Sequence, residues 1–282
     1  MPYLLLVTIA ASITAQNALK KQYNLHSKKP APFFFSLMLS AVAMLFFVVT
    51  SGFRLEFNSG IIVYSVGFAL SYGAALIGTM QAIASGPLAL TLLFSSYSLL
   101  IPTVHGLIAL DEKLGTVGII GLALLILSIL LLNLKKDSEK INLKWFVYML
   151  LSFFGNGFCS LVQKLQQIKF DGAYKSEFMI LALLICSVML TVFTLCYRED
   201  VKSEFKRCLL LGGISGVCNG VVNYFVLIVA GLLPSSVLYP SISAGSIVCG
   251  FLIAVFLYKE KLTKLKYVGY ALGLASIILL NL

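Results

Sequence analysis

Long apolar runs separated by short charged segments dominate the chain. Ten such runs can be marked, at residues 2–19, 32–53, 60–84, 87–110, 114–134, 145–163, 177–197, 208–232, 236–258 and 264–282. Each is long enough to cross about 30 Å of hydrocarbon as an α-helix that rises about 1.5 Å per residue. The runs are continuously apolar, whereas barrel strands alternate between apolar and polar residues. The pattern therefore predicts an all-α integral membrane protein with ten transmembrane helices.

Composition favours lipid over water as the solvent. Of the 282 residues, 60% are hydrophobic and 11% are charged, whereas soluble domains carry about 25% charged residues. A soluble protein of unusual composition would have short hydrophobic runs instead. The first run has no basic residues before it and is followed by Lys20 and Lys21, so we expect a retained helix and not a cleaved signal.

The chain contains an internal repeat. Glu112-Lys113-Leu114 recurs 148 residues later as Glu260-Lys261-Leu262, and the same offset gives 12 identities over the 23 positions that begin at Glu112. The repeat divides the chain into halves, 1–140 and 141–282, with five predicted helices each. Because five is odd, the second half enters the membrane from the opposite side, as in the inverted repeats of many secondary transporters.

Loop charges predict the orientation. Loops 1–2, 3–4, 5–6, 7–8 and 9–10 share one side of the membrane and carry 16 Lys and Arg residues, whereas the other side carries five. The positive-inside rule puts the richer side in the cytoplasm. We therefore expect a multi-pass protein of the cytoplasmic (inner) membrane with both termini outside.

Turn and loop motifs carry a family resemblance. Ala84-Ser85-Gly86-Pro87 opens the fourth run, Glu112-Lys113-Leu114 follows it, and the second half repeats both features around Pro234 and Glu260. The whole chain resembles the drug/metabolite transporter superfamily, in particular its ten-helix EamA-type members. The resemblance implies two tandem five-helix domains and carriage of amino acids, other metabolites, nucleotide-linked compounds or drugs, often as export.

The chain also departs from that family. Ala10-Ala11-Ser12 replaces the Trp-Gly-Ser/Asn pattern common in the first helix of a half, while Gly155-Asn156 keeps part of it in the second half. Small four-helix multidrug relatives use a glutamate embedded in helix one, and no acidic residue lies in that run here. These departures argue against proton-coupled export of lipophilic cations.

Titratable residues give little support to catalysis. All eleven acidic residues fall in loops or at helix ends, and the two histidines, His26 and His105, stand apart. General acid–base chemistry and metal binding need such groups brought together. The six cysteines lie mostly in apolar runs without a C-x-x-C pair. We predict no cofactor, no metal, no disulfide and no carboxylate proton relay, and we expect His105 to bond a carbonyl freed by Pro102.

Neutral polar residues inside the runs are the candidates for a solute site. They are Gln16, Tyr72, Thr91, Ser95, Asn156, Gln163, Asn219, Asn223, Tyr224 and Tyr239. Such side chains suit a polar, neutral or zwitterionic solute, although they also bridge packed helices at about 1 kcal/mol each. Asn219 and Asn223 lie one turn apart on one helix face with Tyr224 alongside, so a cavity role and a role in bridging helices both stay open for them. Lys164 is expected to end helix six and reach the interface; turned inward, it would select an anionic group.

These patterns predict a secondary transporter of a small polar metabolite, amino-acid-like or otherwise neutral or zwitterionic. It would act as an exporter or exchanger by alternating access, with or without a coupling ion. Its partners would be the solute and membrane lipids, and not nucleic acid, because the net charge of +10 lies in helix-end loops. The alternative is a membrane-embedded enzyme acting on a lipid or isoprenoid, which would need clustered acidic or histidine residues.

Overall fold

The computed structural model describes residues 2–27, 29–85, 97–133, 143–252 and 264–280. These residues form helices joined by short loops, with no strand among them, so the predicted all-α class is confirmed. The helices are α1 (Pro2–His26), α2 (Pro32–Thr50), α3 (Ile61–Ser85), α4 (Leu100–Ala109), α5 (Thr116–Asn133), α6 (Leu143–Lys169), α7 (Lys175–Cys196), α8 (Val201–Ala230), α9 (Ser235–Leu252) and α10 (Lys264–Leu280).

Five of the helices in the described ranges are long and apolar enough to cross a membrane. They are α2, α3, α6, α7 and α8, with mean hydropathies from 1.5 to 2.7. Large apolar side chains also cover the outer surface; Val63, Ile108 and Leu195 are each more than 70% exposed. A monomer in water rarely exposes so much contiguous apolar surface. The chain is therefore a helical membrane protein.

Helix α8 begins earlier than the sequence predicted. The run 208–232 put its start after the charged segment, but the helix starts at Val201 and passes through a π-helical turn at Cys208–Gly212. The Asp200 carboxylate caps it by accepting a hydrogen bond from the Ser203 amide at 3.3 Å. This cap supports a charged first turn that hydropathy alone assigns to a loop.

Helices α3 and α6 are in backbone contact. A Cβ atom added at Gly78 of α3 would lie 2.5 Å from the backbone nitrogen of Ser152, and one added at Gly155 of α6 would lie 2.5 Å from that of Ala75. The Thr79 and Ser152 hydroxyls are 2.7 Å apart beside this crossing. Small residues thus let two helices from different halves of the chain approach closely, as is common in membrane bundles.

The other helix contacts also interleave the halves. α1 packs on α8 and α9, α2 on α7 and α8, α3 on α7, α4 on α6 and α9, and α5 and α9 on α10. Hydroxyl groups bridge some of these pairs: Ser40 of α2 donates to the Leu183 carbonyl of α7, and Ser128 of α5 donates to the Gly269 carbonyl of α10. All six cysteines are free thiols.

Candidate functional site

Helix α6 carries the predicted polar residues into the interior. It was expected to end near Lys164, but it continues to Lys169, so that prediction was wrong. Gln163 and Lys164 consequently lie more than a turn inside the helix, where both are buried. The apolar run ends earlier than the helix because the last turns carry the buried polar residues Gln166 and Gln167, which hydropathy does not assign to a membrane span.

Gln163, Asn219 and Asn223 form a connected group, which we call the amide cluster. Gln163 of α6 donates from Nε2 to Oδ1 of Asn223 on α8 at 2.8 Å. Asn223 donates from Nδ2 to both Oδ1 and the carbonyl oxygen of Asn219, each at 2.9 Å. The three side chains are 3%, 6% and 8% exposed respectively. The two asparagines therefore share one face of α8, as their spacing predicted.

Tyr72 of α3 faces the amide cluster. Asn219 is the polar side chain turned toward its hydroxyl, yet this buried hydroxyl makes no hydrogen bond of standard geometry within the described part of the chain. The phenol group can both donate and accept. A buried hydroxyl beside Asn219 provides hydrogen-bonding capacity that a polar solute could use.

The remaining candidates among the described residues make contacts outside this cluster. Gln16 of α1 donates to the Ser215 carbonyl of α8 at 3.4 Å, and Tyr239 of α9 donates to the Ser160 carbonyl of α6 at 2.7 Å. Both bonds join neighbouring helices, as interhelical hydrogen bonds do. Thr91 and Ser95 lie outside the described residues.

Asn156 and Tyr224 make contacts of a different kind. Asn156 donates to the Ser152 carbonyl of its own helix at 2.9 Å. The ring of Tyr224 packs against Phe46 and Phe47, with ring centroids 6.2 and 6.1 Å apart. These contacts are local packing and leave the solute-binding role of both residues a prediction.

Lys164 was expected to reach the membrane interface, and its side chain is buried at one end of the bundle. Its Nζ donates to the carbonyl oxygens of Ala230 and Leu233 at 2.9 and 2.8 Å. Those carbonyls belong to the end of α8 and the turn that precedes α9. Carbonyl groups at a helix C-terminus carry partial negative charge, which stabilises a nearby ammonium. The lysine charge is thus directed at backbone oxygens.

Glu112 makes a contact between helices that the sequence did not predict. It follows α4, and its two carboxylate oxygens accept hydrogen bonds from the Ser235 and Ser236 amides at the start of α9, both at 2.8 Å. The recurrence of Glu112-Lys113-Leu114 in the second half marks Glu112 as part of the repeat. The repeat does not reveal which helix N-terminus the Glu112 carboxylate binds.

Glu199 makes a similar arrangement elsewhere. It follows α7, and its carboxylate accepts hydrogen bonds from the Phe33 and Phe34 amides at the start of α2, at 3.0 and 2.8 Å. Burial raises the pKa of Glu199, and the two amide hydrogen bonds oppose that increase. A carboxylate at a helix N-terminus is favoured by the helix dipole.

His105 and Pro240 lie outside the amide cluster, in α4 and α9. The buried Nδ1 atom of His105 has no hydrogen-bond partner among the described residues, so the expected bond to a freed carbonyl is not made through that atom. Helix α9 continues through Pro240, which lines an apolar cavity of about 10 Å³ with Thr103 and Leu125. That volume is about the size of one water molecule. It does not provide a solute site.

Comparison with solved structures supports the fold. A structure described as "Crystal structure of protein" superposes with a TM-score of 0.77 over 99% of this chain and 98% of that chain, at 15% sequence identity. No protein-family model matches the chain, and no curated protein matches it. At this identity the likeness shows a shared fold and carries no function.

Proposed function

We propose that this protein is a secondary transporter of the drug/metabolite type that moves a small polar, neutral or zwitterionic metabolite by alternating access. Its moving parts derive from two inverted five-helix repeats, residues 1–140 and 141–282, giving ten spans. The charge distribution of the loops supports the cytoplasmic membrane with both termini outside.

The observation that carries this proposal is a reciprocal pattern of helix packing. If each helix is exchanged for the one five positions away, α3 on α6 becomes α8 on α1, α2 on α8 becomes α7 on α3, and α1 on α9 becomes α6 on α4; all of these contacts are present. The pairs α2 with α7, α4 with α9 and α5 with α10 map onto themselves. The α9–α10 contact has no α4–α5 counterpart of comparable extent among the described residues. The symmetry of the other pairs is expected of a duplicated bundle in which two equivalent packings can exchange.

Contacts made by loop residues give the relative direction of α2 and α7. The backbone amide of Glu56, between α2 and α3, donates to the Glu177 carboxylate at the start of α7 at 3.0 Å. At the other end of α7, Glu199 meets the start of α2. Helices α2 and α7 therefore run antiparallel, which suits equivalent helices of an inverted repeat.

The amide cluster supports a neutral or zwitterionic cargo. Its hydrogen-bonding groups are uncharged, and the nearby Lys164 ammonium is directed at two backbone carbonyls. A purely anionic solute would find its counter-charge already engaged. Amide and phenol groups suit a solute with both donors and acceptors.

The test is thermal unfolding of the purified protein against a panel of metabolites, followed by uptake of stabilising solutes into liposomes. A solute that binds the folded state raises the melting temperature, and Asn223→Ala should abolish both that rise and uptake. Ser215→Ala is the matched control, because its buried hydroxyl has no hydrogen-bond partner among the described residues. Turnover of a lipid by a protein that moves no solute would overturn the proposal in favour of an enzyme.

A further inference from the structure

Two glutamates bind the N-termini of helices that belong to the opposite half of the chain. Glu112 lies in the first half and holds the first two amides of α9, in the second half. Glu199 lies in the second half and holds two amides at the start of α2, in the first half. Both oxygens of each carboxylate are used. Each glutamate therefore fastens a loop of one half to a helix of the other.

The two contacts lie at opposite ends of the bundle. Lys164, near the end of α6, reaches the turn before α9, where Glu112 binds. Helix α7 starts just after α6 and runs for 22 residues to Cys196, a length of about 33 Å. Glu199 follows that helix. The carboxylates are thus separated by about the thickness of a membrane core.

Gly106 leaves space for the Glu112 carboxylate at the start of α9. A Cβ atom added at Gly106 would lie 2.4 Å from the Glu112 carboxylate and 2.7 Å from the Cβ of Ser235. A larger residue than glycine there would displace the carboxylate from the helix end. Glycine at this position keeps the space that the contact between the halves requires.

Glu199 caps α2 in place of a side chain from the residue next to that helix. Helix α2 starts after Ala31, and no side chain at that position caps it, whereas α8 is capped by the adjacent Asp200. A local cap stays in place however the halves move. A cap imported from the other half is satisfied only while the two halves are together at that end.

We propose that Glu112 and Glu199 are a pair of latches, one at each end of the bundle, and that each end opens when its own carboxylate leaves the helix N-terminus. This inference rests on the proposed function, since alternating access requires the ends to open in turn. Both latches are engaged in this structure. On opening, water would solvate the released carboxylate and amides at the end of the bundle, so the exchange of partners is nearly balanced.

Hydrogen exchange measured by mass spectrometry on the full-length protein in lipid nanodiscs tests the latches without any solute. Glu112→Gln should speed exchange at the start of α9 by about tenfold, as expected for the loss of one hydrogen bond to a charged group. It should also slow exchange at the start of α2, because opening one end favours closure of the other. Glu199→Gln should give the mirror result.

Two further variants guard the interpretation. Glu56→Gln is the matched control, because this carboxylate is exposed in a loop and only the backbone amide of the residue makes a hydrogen bond among the described residues, and it should change neither end. Gly106→Ala should reproduce the effect of Glu112→Gln by crowding the carboxylate from the other side. Agreement between two unrelated substitutions separates release of the latch from general loss of folding.

The outcomes also separate this inference from the proposed function. Faster exchange confined to the substituted end, or at both ends together, would mean that the glutamates are static caps, and the latch proposal would be wrong. Reciprocal exchange in a protein that moves no solute would keep the latches and overturn the transporter. Solute uptake without reciprocal exchange would do the opposite.

Discussion

Substitution of Asn223 probes the bond that joins α6 to α8 in the amide cluster. Asn223→Ala removes the acceptor for Gln163 and both donated bonds to Asn219. The buried Gln163 amide would then lack its partner, which costs about 1–3 kcal/mol. Interhelical hydrogen bonds in membranes contribute about 0.6 kcal/mol on average and up to about 1.7. We therefore expect the free energy of unfolding to fall by about 1–3 kcal/mol.

The single tryptophan provides the assay. Trp145 is 2% exposed and lies in α6, the helix that carries Gln163. Its fluorescence should report separation of α6 during unfolding by sodium dodecyl sulfate. A double-mutant cycle with Gln163→Ala isolates the pairwise energy, which we expect to be about 0.5–2 kcal/mol.

The control for this prediction is a buried side chain that makes no hydrogen bond to any described residue. Ser215→Ala removes a buried hydroxyl of α8 that has no partner in the described part of the chain, and it should stay within about 0.5 kcal/mol of the parent protein. A loss below about 0.5 kcal/mol for Asn223→Ala, together with zero coupling to Gln163, would show that the amide cluster does not hold these helices together.

Three other substitutions give separate tests. Gly155→Ala would bring a Cβ atom to 2.5 Å from an α3 backbone nitrogen and should lower the unfolding free energy by about 1–3 kcal/mol. Gly115→Ala is the control, because the space around Gly115 is open, and it should leave the unfolding free energy unchanged. Equal stability of the two variants would contradict the backbone contact. Tyr239→Phe removes a 2.7 Å hydrogen bond to an α6 carbonyl and should lower the unfolding free energy by about 0.5–1.5 kcal/mol in the same denaturant titration. An unchanged unfolding free energy would mean that water replaces the hydrogen bond. Burial raises the pKa of Glu199, so the folded protein binds this proton more tightly than the unfolded chain does. Stability should therefore fall as pH rises from about 4.5 through the raised value, Glu199→Gln should flatten that slope in unfolding measured against pH, and an unchanged slope would assign it to another group.

Local sequence patterns predicted what depends on local structure. Hydropathy found the apolar helices because burial in lipid acts on every residue of a run. The four-residue spacing of Asn219 and Asn223 predicted their common face, and the hydrogen bond between them confirms it. The start of α8 was wrong because Asp200 supports a charged first turn that hydropathy scores as a loop.

These local patterns could not predict contacts between residues that lie far apart in the sequence. Gln163 meets Asn223 across 60 residues, and nothing in either run names the other. Lys164 was expected at the interface because a lysine near the end of an apolar run usually reaches water, yet its side chain is buried against carbonyl oxygens at the end of α8. Glu112 and Glu199 looked like solvated loop acids, since charge alone does not reveal a neighbouring helix N-terminus.

The glycine contact between α3 and α6 also sets an order of events during synthesis. Helix α3 ends at Ser85 and α6 ends at Lys169, so 84 residues separate the completion of the two helices. At about 5–20 residues per second, that interval lasts about 4–17 seconds. Throughout it, the Gly78 face of α3 lies in the bilayer or the insertion machinery without the helix that it fits. A ribosome that stalls before α6 emerges would leave a half-protein in which the glycine face of α3 has no partner helix, and membrane proteases should clear such a fragment faster than the finished chain.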